Sequence, residues 1–585
     1  MLALTPLLIL PGSFFHYDVT PKVAVALMGA AIGLLLWVFV PRLALWEDPV
    51  SRWFCVLGAA QVISLLLSVL FSSHAALAWN GGNWRRFGLV SQSALIAFGF
   101  LIAASCRETG LRVLLRAATA AGAAAALYGI LQYVGVDPFL PAASYHIGEG
   151  YLAIVRPPSS MGHADYFAGY LLYVVFFGAA LAATESRTVW RALGVFAAGA
   201  GSAAIVLSGT RGALVGLGAG AISLWIWKRP RFTRRSALVA AGLCVASLAF
   251  YFSPAGLQLR ARTQWEMEDL HGGARLWLWR DSLRMARERL LVGFGPETFG
   301  LEFPRYQSVE LSRAYPDFYH ESPHNIFLDA LVSQGILGVA ILAGFVALAW
   351  FAVRHAVAQG QRAAPFLGSA LVAGLTAGLF VCFTLPGALY LYATVAMVTK
   401  PDLGVRRGRA RPPYAVAICL AGAAMFVYFA VRVTVADIAL ERAKRDLDAG
   451  RIGEALRAYQ LSQRWHPAGS SDDLYFSRAL PSEALARRAV ETSEERQNAW
   501  YNLAGFYAAQ SDATGVEACL RQSIHASPNW FKPHWALAQM LQLSGRATEA
   551  REEAARAVDL DGGKDPEVAK FLQSVHHSQA ERNAE

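Results

Sequence analysis

The chain has 585 residues, of which 55% are hydrophobic and 16% charged, and its mean hydropathy is +0.36. Soluble globular domains contain fewer apolar and more charged residues, so this composition predicts an all-α polytopic membrane protein. The net charge of +10 does not indicate nucleic-acid binding. Its basic residues cluster beside apolar runs, where they favour contact with anionic membrane lipids.

The apolar residues form runs long enough to cross a bilayer, which needs roughly 20 residues as a helix. They recur up to residue 252, stop at a more polar segment, and resume at residue 335. Residues 1–15 are apolar but short, and we interpret them as a weak first span because they lack the features of a signal peptide. The sequence therefore predicts twelve or thirteen spans. The other runs are 23–40, 53–71, 87–105, 117–134, 166–184, 190–207, 212–227, 237–252, 335–353, 366–385, 387–398 and 414–431.

Lysine and arginine in the short loops predict the orientation, since basic loops stay in the cytoplasm. One set of alternate loops holds nineteen basic residues, among them Arg42, Arg107, Arg231 and the cluster at 400–411. The opposite set holds five, which are Lys22, Arg85, Arg86, Arg156 and Arg211. We therefore expect the segment 253–323 and the C-terminal tail to face away from the cytoplasm.

The tail after residue 435 has a weak repeat. Trp500, Leu503, Ala504 and Tyr507 correspond to His534, Leu537, Ala538 and Leu541, which lie 34 residues later. That period is typical of tetratricopeptide helical hairpins, which stack and present a groove to a protein partner. The sequence thus predicts four regions: a membrane bundle at 1–252, a large outer loop at 253–334, membrane helices at 335–435 and an outer repeat domain at 436–585.

The segment from His320 to His324 reads HESPH, which matches the zinc-protease string HExxH. That site needs both histidines on one face of a continuous helix. Pro323 disfavours helix at Ser322, so a helix should begin near His324 instead. A third ligand, from Asp317 or His271, would be needed for the metal interpretation.

The six cysteines are scattered singly and indicate neither a disulfide framework nor a thiolate metal site.

Four motifs occur in order through the middle of the chain. They are an outer loop at 156–168, the turn Ser208-Gly-Thr-Arg211-Gly212, the helix that begins at Arg275 with the glycine turn Gly293-Phe-Gly295-Pro-Glu-Thr-Phe299, and His324-Asn325 followed by Gly335 and Gly338. This ordered set resembles the signature of the O-antigen ligase and O-antigen polymerase superfamily. In the loop, His163 and Asp165 stand where many members of that superfamily carry asparagine.

The resemblance implies a glycosyltransferase that uses a polyprenyl-diphosphate-linked glycan as donor. It also implies a place in the bacterial inner membrane, with the loop at 253–334 as the catalytic part and both this loop and the repeat domain in the periplasm. Guanidinium groups bind diphosphate without losing their proton, so Arg211 and Arg275 are the candidates for holding the leaving group. His324 is the candidate base for the acceptor hydroxyl. We expect an inverting reaction without metal or other cofactor. The candidate substrate-binding residues are Arg156, His163, Asp165, Asn325 and Arg280.

Several alternatives stay open at this level. Arg211 could be a topology anchor, Arg280 could be a solvated face of a loop helix, and His324 could cap the helix it opens. The acceptor could be a lipid A core, another glycan or a protein. A membrane zinc protease and a non-catalytic scaffold or transporter are the competing classes. The repeat domain could recruit a periplasmic protein.

Overall fold

The computed structural model describes residues 1–39, 48–105, 108–147, 154–229, 233–268, 273–399 and 412–582. The predicted fold class is confirmed: the chain is an all-α polytopic membrane protein, with a two-residue antiparallel hairpin in which β1 (His146–Ile147) pairs with β2 (Ile154–Val155). Arg42, Arg107, Arg231, His271 and the basic cluster at 400–411, which entered the predictions above, lie outside the described residues.

Ten helices precede residue 253. They are α1 (Leu4–Leu7), α2 (Thr20–Phe39), α3 (Pro49–Leu70), α4 (Ala75–Asn80), α5 (Leu89–Ser105), α6 (Glu108–Tyr133), α7 (Ala164–Thr184), α8 (Thr188–Leu207), α9 (Arg211–Lys228) and α10 (Arg234–Phe252). Four helices form in the central loop, the segment between α10 and residue 325. They are α11 (Leu257–Glu268), α12 (Arg275–Ala286), α13 (Phe299–Glu302) and α14 (Val309–Ala314).

The remaining helices are α15 (Ile326–Ala358), α16 (Ala364–Ala377), α17 (Leu385–Val398), α18 (Pro413–Asp448), α19 (Ile452–Trp465), α20 (Asp473–Ala479), α21 (Glu483–Thr492), α22 (Arg496–Ala509), α23 (Ala513–Ala526), α24 (Phe531–Leu543), α25 (Ala547–Asp561) and α26 (Pro566–Arg582). Short 3-10 helices form at Ala142–Ser144, Ser159–Met161, Pro254–Gly256, Arg287–Arg289 and Phe303–Arg305.

Within the described residues, seven helices are long and apolar enough to cross a membrane: α2, α3, α6, α7, α8, α15 and α18. Three shorter apolar helices, α5, α16 and α17, pack among them in the main hydrophobic core. The helices α9 and α10 occupy two of the predicted spans but fall outside these seven. The number of long spans is therefore smaller than the twelve or thirteen that the sequence predicted.

Two predicted spans are wrong. Residues 1–15 contain only the four-residue helix α1, and Pro11 and Gly12, a few residues after it, end the apolar run in a turn. The run 366–385 is not continuous, since α16 ends at Ala377 and α17 begins at Leu385. The carbonyl of Gly378 in this break accepts a hydrogen bond from the backbone N–H of Ile326, at 2.9 Å. That contact satisfies backbone groups that a continuous helix would have paired internally.

A kink at Gly335, whose φ is +65°, divides α15. A Cβ atom there would overlap the backbone of Leu291, and one on Gly293 would overlap the backbone of Ser333. The glycine turn of the central loop therefore lies directly against the kink. Two backbone hydrogen bonds hold it there: Phe294 N–H to the Val332 carbonyl, 2.8 Å, and Gly295 N–H to the Ser333 carbonyl, 2.9 Å.

The helix α18 runs without a break from the membrane region into the C-terminal helices. Its 36 residues span about 54 Å at 1.5 Å per residue, well beyond a hydrocarbon core of about 30 Å. Its last turns bury Leu440 and Ala443 against Tyr459 of α19 and Phe476 of α20. The predicted domain boundary at residues 435–436 therefore lies inside a continuous helix. We call α19–α26 the C-terminal helical unit; its successive helices pack on one another in chain order.

The C-terminal helical unit packs against the central loop through polar contacts. Lys532 Nζ pairs with Asp317 Oδ2 at 2.6 Å, and Arg313 pairs with Asp559. The Asn529 side chain donates a hydrogen bond to the Gln307 carbonyl at 2.6 Å. These contacts hold the unit directly over the part of the loop that precedes His324.

Candidate active site

One cavity of about 320 Å³ lies between the first residues of α7, α9 and α12 and the segment before α15. Six candidate residues line it, although they are widely separated in the sequence: Arg156, His163, Asp165, Arg211, Arg275 and His324. Arg262 adds a fourth guanidinium group, and we call this space the arginine cavity. Thr210, Tyr315, Phe318, His320 and Phe380 are also among its lining residues.

Arg211 lies at the first position of α9, after the tight turn that ends α8. Gly209 has a φ of +61°, and its carbonyl accepts two hydrogen bonds from the Arg262 guanidinium, both at 3.4 Å. The next residue of α9, Gly212, packs against the Phe380 ring so closely that a Cβ atom would displace it. The turn thus brings Arg211 and Arg262 to the same wall of the cavity, opposite the break between α16 and α17.

The start of α7 supplies His163 and Asp165. His163 caps the helix, its Nδ1 accepting the backbone N–H of Asp165 at 3.2 Å, so its neutral ring carries the proton on Nε2. The Asp165 carboxylate pairs with Arg156 and accepts a hydrogen bond from the Thr210 hydroxyl at 2.9 Å. Asp165 therefore positions Arg156 and connects the wall formed by α7 with the turn before α9.

Arg275 is the first residue of α12, and the helix is fixed to the histidine segment one turn later. The Trp279 indole N–H donates a hydrogen bond to the Pro323 carbonyl at 3.1 Å. Arg280 does not line the cavity: it is half exposed and pairs with Asp281 at 3.1 Å and Glu310 at 3.2 Å. The structure thus places Arg275 at the site and Arg280 in a surface ion-pair network.

The segment from His320 to Asn325 is not helical. This confirms the expectation that Pro323 prevents a helix through HESPH, so the two histidines do not share a helix face. The described residues contain no group of three or more histidine, cysteine or carboxylate side chains arranged to hold a metal ion.

Asn325 caps α15 by accepting the backbone N–H groups of Phe327 and Leu328 at 2.9 and 3.2 Å, so it lies behind the cavity wall.

His324 has a φ of +49°, in the left-handed region that few non-glycine residues adopt. Such backbone strain is typical of functional sites, where the surrounding structure enforces it. Burial, together with the positive charge of Arg275, lowers the pKa of His324 to about 4. Its imidazole is therefore neutral at pH 7 and able to accept a proton.

Sequence reasoning missed Arg262, Thr210 and Arg85. Arg262 is one of nine arginines in the segment 253–323, so no signal in the sequence distinguished it from the others. Arg85 does not line the arginine cavity but supports its surroundings. Its buried guanidinium pairs with Glu297 of the glycine turn at 2.5 Å and with Asp329 of α15 at 3.1 Å.

Comparison with known protein families identifies part of this chain. Residues 195–343 match the family model described as O-antigen ligase. No curated protein matches the chain. The matched segment contains Arg211, Arg262, Arg275 and His324, whereas Arg156, His163 and Asp165 come from outside it. Residues 195–343 therefore form an O-antigen ligase domain.

Proposed function

We propose that this protein transfers a glycan from a polyprenyl-diphosphate carrier to the hydroxyl group of an acceptor, as an O-antigen ligase, a related polymerase or a protein O-oligosaccharyltransferase. The charge of the arginine cavity carries the proposal. Among the described residues that line it, four guanidinium groups face one carboxylate, that of Asp165. A diphosphate is the kind of anion that such a cavity binds, since guanidinium pairs with phosphate oxygens in a bidentate geometry.

The leaving group explains why several arginines are needed. When the bond between the anomeric carbon and the diphosphate oxygen breaks, negative charge increases on the diphosphate. Arg211 and Arg275 would stabilise that charge as it develops, which lowers the barrier instead of merely tightening substrate binding. Arg156, held by Asp165, and Arg262, held by Gly209, would contact the remaining phosphate oxygens. No cofactor is needed for this step.

The acceptor hydroxyl is a weak nucleophile and must lose its proton as it attacks. His324 would take that proton, because its imidazole is neutral at pH 7 and lies at the edge of the same cavity. Attack from the side opposite the diphosphate gives inversion at the anomeric carbon. In this scheme His163 and Asp165 contact or position the donor.

The distribution of basic residues supports a location in the bacterial inner membrane, with the arginine cavity and the C-terminal helical unit in the periplasm. Lipid-linked glycans are presented to acceptors on that side. The polyprenyl chain would lie among membrane lipids beside the bundle. The C-terminal helical unit, with its tetratricopeptide-like spacing, would take part in recognition of the acceptor or of a periplasmic protein.

Turnover of a purified lipid-linked donor tests this function directly. The full chain in lipid nanodiscs is mixed with donor and with acceptor-bearing surface material, both extracted from cells that lack the gene, and released polyprenyl diphosphate is measured. We expect release by the wild type and by Arg284→Ala, an exposed arginine on the same helix as Arg275. Arg211→Ala, Arg275→Ala and His324→Ala should lose transfer by at least about 100-fold while inserting normally. A wild-type protein that releases no polyprenyl diphosphate would instead favour a scaffold or transporter.

A further inference from the structure

A second cavity, also of about 320 Å³, lies between the central loop and the C-terminal helical unit. We call it the junction cavity. Its aromatic wall comes from both sides, with Phe318 from the loop and Tyr501 and Trp530 from the unit. The rings of Tyr501 and Trp530 are in contact, with centroids 5.3 Å apart. The cavity therefore exists only because the unit packs on the loop.

The junction cavity and the arginine cavity share a wall. Phe318 and His320 line both of them. A molecule held in the junction cavity would thus lie next to the space where the donor diphosphate is proposed to bind. This adjacency is what an acceptor site requires.

His320 is the unusual group in that wall. It is 94% buried, yet neither of its ring nitrogens has a hydrogen-bond partner among the described residues. Its ring packs edge-on against Phe303 and in a tilted contact with Phe318. Two buried polar atoms without hydrogen-bond partners destabilise the folded chain, and a bound molecule that pairs with them would remove this cost.

The protonation state of His320 indicates which chemical group of a bound molecule could pair with its ring nitrogens. Burial, together with the nearby imidazole of His324, lowers the pKa of His320 to about 3. The neutral imidazole has one donor and one acceptor nitrogen. A hydroxyl group, which both donates and accepts, matches it, whereas a phosphate offers only acceptor oxygens near neutral pH.

The charges around the junction cavity are balanced, in contrast to those of the arginine cavity. Asp317 pairs with Lys532 at 2.6 Å and also accepts the Trp530 indole N–H at 3.2 Å. Glu495 accepts a hydrogen bond from the Asn498 amide at 2.8 Å. Aromatic rings combined with paired carboxylates and amides suit an uncharged ligand that is rich in hydroxyl groups. The faces of the rings attract the C–H groups of such a ligand, and the polar atoms form hydrogen bonds with its hydroxyl groups.

We propose that the junction cavity binds a sugar residue of a glycan acceptor and directs its hydroxyl past His320 into the arginine cavity. This inference rests on the proposed function and narrows the acceptor to a glycan, as opposed to a phosphorylated lipid or a polypeptide. In the reaction, a bond forms between the acceptor oxygen and the anomeric carbon of the donor. The bond from that carbon to the diphosphate breaks with its electron pair leaving on oxygen, and the hydroxyl proton passes to His324.

The test uses the full chain in nanodiscs with two native substrates. Donor is extracted from cells that lack the gene, and the acceptor is the surface molecule from the same cells that mass spectrometry shows to have lost glycan. The variants are Trp530→Ala and His320→Phe, the second of which keeps an aromatic ring but removes both nitrogens. The control is Trp465→Ala, a partly exposed tryptophan of α19 that lines neither cavity.

We expect each cavity variant to raise the KM for acceptor by about tenfold, the effect of losing one hydrogen bond or one aromatic contact. For Trp530→Ala, which lies outside the arginine cavity, the KM for donor and the slow hydrolysis of donor by water should stay within about twofold of the control. His320→Phe, which preserves the packing, separates ligand binding from a fold defect in Trp530→Ala.

Three outcomes would overturn the inference: a polypeptide or phosphorylated lipid as the acceptor, cavity variants that match Trp465→Ala, or an effect on the KM for donor alone. Failure of the proposed function is distinguishable from these. In that case the wild type itself releases no polyprenyl diphosphate, whereas failure of the acceptor site leaves wild-type transfer intact.

Discussion

The Thr210 hydroxyl donates a hydrogen bond to the Asp165 carboxylate at 2.9 Å, and the same carboxylate pairs with Arg156. This contact joins the start of α7 to the turn before α9, which means that the anionic residue of the arginine cavity sets the position of cationic ones. The geometry of the cavity therefore depends on a carboxylate that need not touch the substrate.

Replacing Asp165 with asparagine should weaken donor binding. The amide keeps the hydrogen bond with Thr210 but loses the charge that holds Arg156. A hydrogen bond between charged groups is worth about 1.5–3 kcal/mol, so we expect the KM for donor to rise by about 10- to 100-fold. Asp559→Asn, which removes the partner of Arg313 at the loop surface, is the matched control and should leave the KM for donor unchanged. A normal KM in Asp165→Asn would show that Arg156 does not contact the donor.

Arginine geometry at position 275 should matter as well as its charge. Arg275→Lys keeps the cation but cannot form two parallel hydrogen bonds to a phosphate, so we expect transfer to fall by about tenfold or more. Arg280→Lys, five residues along the same helix, should have wild-type activity because Arg280 pairs with Asp281 and Glu310 outside the cavity. Steady-state rates of polyprenyl diphosphate release check both variants. Equal losses in the two would contradict the separate roles of these arginines.

The pH dependence should identify the base. Because the pKa of His324 is lowered to about 4, its imidazole is unprotonated above that pH. The acidic limb of kcat/KM for donor should therefore appear as the pH falls towards 4. A bound diphosphate favours the protonated imidazole, so the limb of kcat should lie at higher pH.

Glu321 is the alternative candidate for the base, and it would give a different pH profile. Burial raises its pKa to about 7, and it lies three residues before His324. If Glu321 were the base, activity would fall as the pH drops through 7, and Glu321→Gln would lose most of the activity at every pH. We expect Glu321→Gln to leave the pH profile unchanged.

The kink in α15 should be more sensitive to a methyl group than an unconstrained turn is. Gly335 and Gly360 both have positive φ, so alanine is strained at either position by about 1 kcal/mol. Only at Gly335 would the added Cβ also overlap another backbone segment, that of Leu291. We expect Gly335→Ala to lower the free energy of unfolding by about 3 kcal/mol or more in total. Thermal unfolding of the two variants in detergent measures the difference, and similar midpoints would contradict a close approach at the kink.

Hydropathy predicted the helices that cross the bilayer wherever one helix fills one apolar run, as in α7 and α8. It failed at 366–385 because that run contains a break whose backbone groups bond elsewhere, with Gly378 accepting from Ile326. The local amino-acid composition does not indicate such a partner. The break matters for function, since Phe380 within it lines the arginine cavity.

For the candidate site, too, the sequence predicted some features and missed others. The motifs predicted that Arg211, Arg275 and His324 act together, and the structure places all three around one cavity; their chemical roles stay predictions. The sequence made both Arg275 and Arg280 candidate site residues. They lie about 140° apart around α12, because five residues turn a helix through about 500°, and therefore face different surroundings.

The sequence by itself determined that this protein lies in a membrane and that residues 195–343 form an O-antigen ligase domain. A chain with 55% hydrophobic residues in long runs must place helices in a bilayer, because helices satisfy their backbone groups internally. Only the tertiary structure decided which arginines share a cavity and that the C-terminal helical unit builds a second cavity beside it. Those relationships depend on contacts between residues more than a hundred positions apart, such as Lys532 with Asp317, and no local pattern encodes them.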